Sequence, residues 1–586
     1  MIQDTENSIR TLVHRTISKF RSIRISEENY NSLFESVSIF PYLVTQEGVC
    51  LVESKEKNKE TIYYVCPISS YMAITKRLTY LDQNLVELSI EYHDGASMKE
   101  AVVSREDILS KSGIKTLLSR GIAFNESRSD LLLSYLLRSE QQAPVEHVHS
   151  QLGWYHKDNL LIFRGYRSFG PDDSFLSHYR GPLDIKPYGQ IKKWLDMVKQ
   201  DVLPHTPLTF CLLLGFASPV LSLLYSKYDL GTLVFNLAND SSRGKTTTAM
   251  LAASVFSNPA LGRGCVQSFH GTQNFLTSLL STTSGFATVF DEGATFSGDF
   301  SQLLYLITAG KEKGRLGKDG LMKETLSWNN IVITTAEFSV INDDSPNGLR
   351  TRCFCLTDDM TQSAAHADRL KTVISENYGL AGNLFIPWIL AQSAADVEKD
   401  YLDCIKLLQD QLQQMNAQPS PFTSRIFSKL AIILQVADYV SQCFDMDIDT
   451  DRLLSFIIQL ERKVLTDINP VQRALDIILA EISRSSSHYI SDSNLNPENT
   501  VGKIEQKDDV KLIAILKPEF ERICQKHKLQ SKILLRELKI KLLLDCESDR
   551  LSKRVRLKPN LPEQACYVLK IKDPDVSASG YKPSDF

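Results

Sequence analysis

The chain has 586 residues, of which 43 % are hydrophobic and 23 % charged, with a net charge of −4. That balance excludes a disordered or fibrous protein, and at roughly 100–200 residues per domain the length provides for several folded units. Its 11 cysteines include no CxxC pair or zinc-spaced Cys/His cluster, and the start MIQDTENSIR lacks the basic-then-apolar pattern of a signal peptide, so the sequence reads as reduced and cytoplasmic.

Residues 1–150 mix helical stretches (8–20, 128–139) with alternating strand-like runs (61–67, 85–92) and read as an α+β accessory domain, a place for a loader or primase-type partner. His147 and His149 alternate as strand residues do, but no third metal ligand lies nearby, and core packing is the simpler account. Residues 151–205 read as a hairpin, QLGWYHKDNLLIFRGY turning at Lys157-Asp158-Asn159, and a helical connector, the start of a long helical region over 191–225. The uncharged stretch 206–226 is as long as a bilayer-crossing helix. Pro219, recurrent Thr and Ser and the lack of a flanking basic cluster favour a buried helix under a sheet, with no membrane involved.

Residues 206–365 alternate apolar strand runs (232–237, 288–290, 331–335) with helical patterns (247–256, 300–308), the rhythm of an α/β sheet domain. Cys353 and Cys355 alternate as strand neighbours and read as small core residues. Residues 366–484 read as helical, with 427–443 and 453–465 clearly amphipathic, and 485–510 as a polar, Ser/Asn-rich linker. Residues 511–586 give two helices (518–527, 531–544) and two strand-like runs (555–558, 565–571), the order of a winged helix-turn-helix.

The chemistry concentrates in LVFNLANDSSRGKTTTAMLAAS, where an apolar strand, the loop Asn239-Asp240-Ser241-Ser242-Arg243 and Gly244-Lys245-Thr246-Thr247 at a helix start form the order of a phosphate-binding loop. Backbone N–H groups would surround a polyphosphate, Lys245 would reach its outer phosphates, and the Thr246 hydroxyl would ligate magnesium. Asn239 stands where such loops usually begin with glycine; asparagine tolerates a left-handed backbone better than other side-chain-bearing residues. The run 286–290 ends in Asp291-Glu292, an acid pair placed for Asp291 to hold magnesium through water and Glu292 to activate the attacking water. The run 331–335 offers Thr335, with Thr334 as the alternative, as a γ-phosphate sensor; strand-capping threonines are the plain reading. Arg350 and Arg352 precede an apolar strand where a ring ATPase reaches into its neighbour's site, unless they are surface residues.

Two regions are basic. AGKEKGRLGKDGLMK (309–323) carries Lys311, Lys313, Arg315, Lys318 and Lys323 against Glu312 and Asp319, as a loop tracking a nucleic-acid backbone would, or a solvated turn. Residues 511–572 hold sixteen Lys/Arg against seven Asp/Glu. DNA contacts are expected there from Lys532, Arg536, Lys539 and Lys541 on the second helix and Lys553, Arg554 and Arg556 on the wing.

Through LGWY at 152–155, NDSSRGKTTTAMLAAS at 239–254, VFDEG at 289–293, TAGKEKGR at 308–315, TTAE at 334–337 and Gly348 with Arg352, the chain resembles the ATPase domain of cassette chromosome helicases over roughly residues 150–470. Those proteins are encoded on mobile genetic elements. The resemblance implies an AAA+ P-loop ATPase similar to minichromosome-maintenance replicative helicases: a homo-hexameric ring with a winged helix, using ATP and Mg2+ on single-stranded or forked DNA. By matching position it assigns Lys245 and Thr246 to nucleotide and magnesium, Asp291 and Glu292 to the acid pair, Thr335 to the sensor and Arg352 to the finger, with Arg350 a weaker match. The function expected is that of an ATP-dependent DNA helicase or translocase of a mobile element or phage-like replicon. Its rivals are an ATP-dependent nucleic-acid-binding assembly switch, for instance in phage defence, and a winged-helix regulator reading one operator.

Overall fold

The computed structural model describes residues 2–572 apart from 158–159, 173–174, 241–242, 293–299, 315, 317–324, 338, 342–344, 416–418, 469, 492–496, 498, 508–509, 528, 548–549 and 559–561. Two compact units emerge: residues 1–345, 352–416 and 427–456 form one, and 346–351, 417–426 and 457–586 the other. The fold is mixed α/β.

In the first unit, helices Ile2–Lys19 and Glu27–Ser36 cover a four-stranded sheet ordered Ile23–Ile25, Glu60–Ser69, Gly48–Lys57, Tyr42–Thr45. A second sheet, ordered His178–Tyr179, Val145–His149, Met72–Tyr80, Val86–His93, Met98–Ser104, packs under helix Ser129–Gln142. This sheet therefore does not close at residue 150, because His178–Tyr179 joins it as a parallel edge strand. His149 is fully buried, its ring nitrogens 2.8 Å from Ser177 Oγ and 2.8 Å from the Gly165 carbonyl. Both nitrogens are thus engaged in packing, and among the described residues no group of three His, Cys, Asp or Glu side chains is placed to hold a metal.

Five short parallel strands form the central sheet: β1 (Leu233–Ala238), β2 (Val266–Ser268), β3 (Thr288–Asp291), β4 (Ile331–Ala336) and β5 (Cys353–Leu356), in the spatial order β2-β3-β4-β1-β5. Nearly every residue of these strands is buried, which is why they read as continuous apolar runs rather than alternating ones. Beneath lies α1 (Thr206–Tyr228), the one described helix long and apolar enough to cross a bilayer. Here its partners are protein: Phe210 meets Phe235 at 5.7 Å between ring centres, Phe216 meets Phe385 at 4.9 Å, and Ser218 Oγ accepts the Ile331 N–H at 3.1 Å. The helical region expected from 191 to 225 consists of Ile191–Met197, a π-turn at Val198–Val202, and then α1. Helices α2 (Lys245–Ala253), α3 (Gln273–Thr282) and α4 (Phe300–Ala309) complete the crossovers.

The hairpin Gly153–Lys157 and Leu160–Arg164 is fastened to this layer. Leu152 N–H donates to the Thr282 carbonyl at 2.9 Å and Trp154 Nε1 to the Pro219 carbonyl at 2.7 Å, while Phe163 stacks on Phe286 at 5.5 Å. Gly153 has φ +92°, and a Cβ there would sit 1.9 Å from the Ser284 carbonyl oxygen, so the strand approaches closely because it starts on glycine.

The second unit gathers helices Pro470–Arg484, Lys517–Lys526 and Ser531–Ile540 around Leu475, Ile478, Phe520, Ile523, Leu535 and Leu538. A sheet ordered Tyr489–Ile490, Gly502–Lys507, Val510–Leu516, Gln564–Lys572, Lys553–Val555 lies against them. The stretch 485–510, expected to be a linker, thus contains a strand, Gly502–Lys507, paired antiparallel with Val510–Leu516. Pro470–Arg484, expected among the preceding helices, supplies this unit's first helix. The helix expected to reach 544 stops at Ile540.

Candidate nucleotide and nucleic-acid sites

At the carboxyl ends of β1, β3 and β4, where parallel α/β sheets leave a crevice, the first unit has a cleft of about 620 Å³ lined by Arg243 to Thr247, Asp291, Glu292 and Thr335 to Glu337. Lys245 Nζ lies over its own loop, donating to the Asn239 carbonyl at 2.5 Å and the Asp240 carbonyl at 2.8 Å. Thr246 Oγ1 donates to Asp291 Oδ1 at 3.1 Å. Thr335 Oγ1 donates to the same carboxylate oxygen and accepts the Glu292 N–H at 3.1 Å. Thr334 faces the other side of β4, its hydroxyl accepting from buried Asn236 Nδ2 at 3.0 Å. Glu292 takes φ +60°, a left-handed backbone rare for a residue with a side chain, which turns the chain sharply out of β3 at the cleft.

The helix start fits a polyphosphate by the chemistry of its donors. Gly244, at φ +81°, opens α2 with no side-chain cap, so the N–H groups of the first helical turn are left to the cleft. A Cβ at Gly244 would lie 2.4 Å from Thr361 Oγ1. An ammonium, a hydroxyl and two carboxylates around those N–H groups are the donor set for a magnesium-bound triphosphate.

Asn239 departs from the expectation. It is not among the residues with a left-handed backbone; its side chain matters instead. Asn239 Nδ2 donates to the Thr357 and Asp358 carbonyls, each at 3.1 Å, and to Asp359 Oδ1 at 3.2 Å, while its Oδ1 accepts the Asp240 N–H at 2.8 Å. Arg243 pairs with Asp359 at 3.3 Å. Sequence reading missed Asp359, and also Ala364, Ala367 and Asp368, which line the cleft from helix Ala364–Glu376. No phosphate-loop motif extends that far along the chain; the only local sign is the Ser363 cap that starts the helix. Ser241 and Ser242 lie outside the described residues.

Arg350 and Arg352 are not among the cleft's lining residues. Arg350 ends the short helix Asn347–Arg350 and is buried in the second unit. Arg352 precedes β5, and its carbonyl accepts the Val234 N–H at 2.8 Å, which puts it at the amino end of the sheet. The basic segment after α4 starts as an antiparallel hairpin: Lys311 bridges Ser327 and the Glu312 N–H donates to the Leu326 carbonyl at 2.9 Å. Lys311 and Lys313 are exposed. Arg315, Lys318 and Lys323 lie outside the described residues.

Comparisons with known proteins bear on this arrangement. Residues 42–326 match a family model described as a domain of unknown function, DUF927, and residues 470–575 match the Cch helix turn helix domain. A solved structure described as SCCmec type IV Cch, active helicase, aligns with a TM-score of 0.69 at 21 % identity, over 92 % of this chain and 99 % of that one. The chain has the fold of a cassette chromosome helicase. No curated protein sequence matches it.

In the region that matches the Cch helix turn helix model, the seven basic residues expected at DNA differ in their partners. Lys532, Arg536, Lys541, Arg554 and Arg556 are exposed. Lys539 is half-buried and donates to the Glu547 carbonyl at 3.1 Å and the Arg550 carbonyl at 3.3 Å, while Lys553, also exposed, pairs with Asp545 at 2.9 Å and Arg556 with Glu563 at 3.9 Å. The spacing of charges along the sequence carried no sign of these protein partners.

Proposed function

We propose that this protein is an ATP-driven DNA helicase or translocase of a mobile element or phage-like replicon, built on an AAA+ core and working as a hexameric ring in the cytoplasm. The observation that carries the reading is the convergence of Lys245, Thr246, Asp291, Glu292 and Thr335 on one cleft, with Thr246 and Thr335 both bonded to Asp291. The strand order β2-β3-β4-β1-β5 supports it, because it sets the loop after β1 and the acid pair that ends β3 on either side of β4, which carries Thr335. Similarity to a structure described as an active helicase, and the Cch helix-turn-helix match, support DNA as the partner.

Bound ATP and Mg2+ would supply the scissile phosphoanhydride and the cation that neutralises it. The chain's residues divide the remaining work. Lys245 and the first N–H groups of α2 grip phosphate, and Thr246 and Asp291 hold magnesium. Glu292, its backbone fixed by Thr335, orients and deprotonates water, and Thr335 couples that water site to the Asp291 carboxylate. Arg352, with Arg350 as second choice, serves a neighbour's cleft. The hairpin begun by Lys311 and Lys313 contacts a DNA strand, and residues 1–150 are offered to a loader or primase-type partner.

The test is DNA-stimulated ATP hydrolysis by Lys245→Ala, expected to fall at least about a hundredfold; a variant that keeps it overturns the motor reading. Displacement of a labelled strand from a fork decides the rest, since hydrolysis without release identifies an assembly switch.

A further inference from the structure

The reading helix of a duplex-binding helix-turn-helix points polar side chains at base edges. Helix Ser531–Ile540 exposes Lys532 and Arg536, but it exposes large apolar side chains beside them. Leu534, Leu535 and Leu538 are buried on one face, and the line opposite them holds Ile533 and Ile540, seven residues apart and 56 % and 73 % exposed. Lys532 and Arg536, exposed, flank that line on one side, and half-buried Glu537 borders it on the other.

The helix then ends in an unusual way. Leu543 N–H donates to the Leu538 carbonyl at 2.8 Å and Leu542 N–H to the Lys539 carbonyl at 3.0 Å, the pair of bonds of a Schellman ending. The residue between helix and exit in that motif has a left-handed backbone and is usually glycine. Here it is Leu542, at φ +59° and 80 % exposed. A leucine at this position is strained in backbone and wasted in packing, so neither stability nor burial accounts for it.

We infer that Ile533, Ile540 and Leu542 form an apolar wedge which the flanking cations seat against DNA at an exposed base-pair face, the junction of a fork. Apolar side chains engage nucleic acid where bases are unstacked, and the two exposed cations along one side of the line favour a polyanion over an apolar protein partner. The consequence is structure-selective, sequence-indifferent binding. This rests on the reading that the second unit contacts DNA.

The experiment uses the full chain without nucleotide and compares a fork carrying 2-aminopurine at its junction with a duplex of the same sequence closed by loops at both ends. Wild type is expected to favour the fork on the order of tenfold and to raise the 2-aminopurine fluorescence on binding. Leu542→Gly suits the left-handed backbone, so its melting temperature should hold or rise while its fork preference falls at least about fivefold, and Ile533→Ser with Ile540→Ser should act the same way. Unchanged preference in variants that still bind DNA overturns the wedge and leaves the DNA-contact reading standing. Unchanged preference with an altered sedimentation coefficient also overturns it and assigns the ridge to a second copy of this chain. A wild type that binds neither DNA overturns both readings.

Discussion

Asn239 shows how a departure from a motif is to be weighed at the scale of one residue. A glycine in its place would restore the usual phosphate-loop spelling, but it would also remove the amide that joins the loop to residues 357–359, just before the helix whose residues line the cleft. Hydrogen bonds of this kind contribute about 1 kcal/mol each, and partial exposure lowers the total to about 1–2 kcal/mol, or roughly 5–30-fold in an equilibrium. Asn239→Gly is therefore expected to weaken binding of a fluorescent ATP analogue by that factor, and tighter binding would mean the motif, not the amide, governs the loop. Thr335 makes a second case. Thr335→Val keeps shape and burial but removes the donor to Asp291 and the acceptor for the Glu292 N–H. Hydrolysis should drop more than tenfold while analogue affinity changes less than about threefold, the split expected of a group that positions the reacting water rather than the ligand. The identity of the cleft residues was legible because strand, loop and acid pair each leave a local pattern. The roles of Asn239 and Asp359 were not, because their contacts span more than a hundred residues.

At the scale of elements, the buried apolar strands of the central sheet and the amphipathic helices were readable, and the misses have physical causes. β2 has only three residues, too few for any periodicity. Gly502–Lys507 carries three charged side chains and draws its order from pairing with Val510–Leu516. Helix Ser531–Ile540 ends without the glycine that normally announces a stop. Helix Pro470–Arg484 is tied to its true neighbour through Glu481, whose buried carboxylate meets Lys526 Nζ at 2.9 Å and Arg484 Nη1 at 3.1 Å. The hydrogen bond from Lys526 is the largest influence holding its pKa down, to about 2. In the unfolded chain a glutamate titrates near 4.3, so this contribution is complete above that pH and is lost as pH falls toward 2. Glu481→Gln should lower the stability of the second unit at pH 7, and the gap from wild type, measured by denaturant melts, should close between about pH 4.5 and 2. A gap constant across that range would mean the pair adds nothing that depends on charge. His149 in the first unit works in another window. Burial lowers its pKa to about 4, so the unfolded state takes up the proton first as pH drops below about 6.5, and the first unit should weaken between about 6.5 and 4. His149→Gln should flatten that part of the profile.

At the scale of the whole molecule, the question is whether one chain holds a complete catalytic site. Arg352 precedes β5, whose register with β1 pairs Cys353 with Val234 and Leu356 with Leu237, whereas the phosphate loop leaves β1 after Ala238. At about 3.3 Å per residue this sets Arg352 some 13 Å or more from the loop's end of the sheet, beyond reach of a phosphate in its own cleft. If Arg352 acts, it must then act on the next subunit, through a head-to-tail interface of the kind that the proposed ring requires. Arg352→Ala should keep analogue binding and lose most hydrolysis, while Lys245→Ala loses both. Mixed in equal amounts, the two inactive proteins should regain activity, because random assembly gives about a quarter of interfaces an intact Lys245 facing an intact Arg352. The recovered rate should approach that fraction of wild type if sites fire independently and fall below it if each waits on its neighbours. A mixture as inactive as its components, in assemblies shown to exchange subunits, would remove Arg352 from the neighbouring site and make Arg350 the residue to test next.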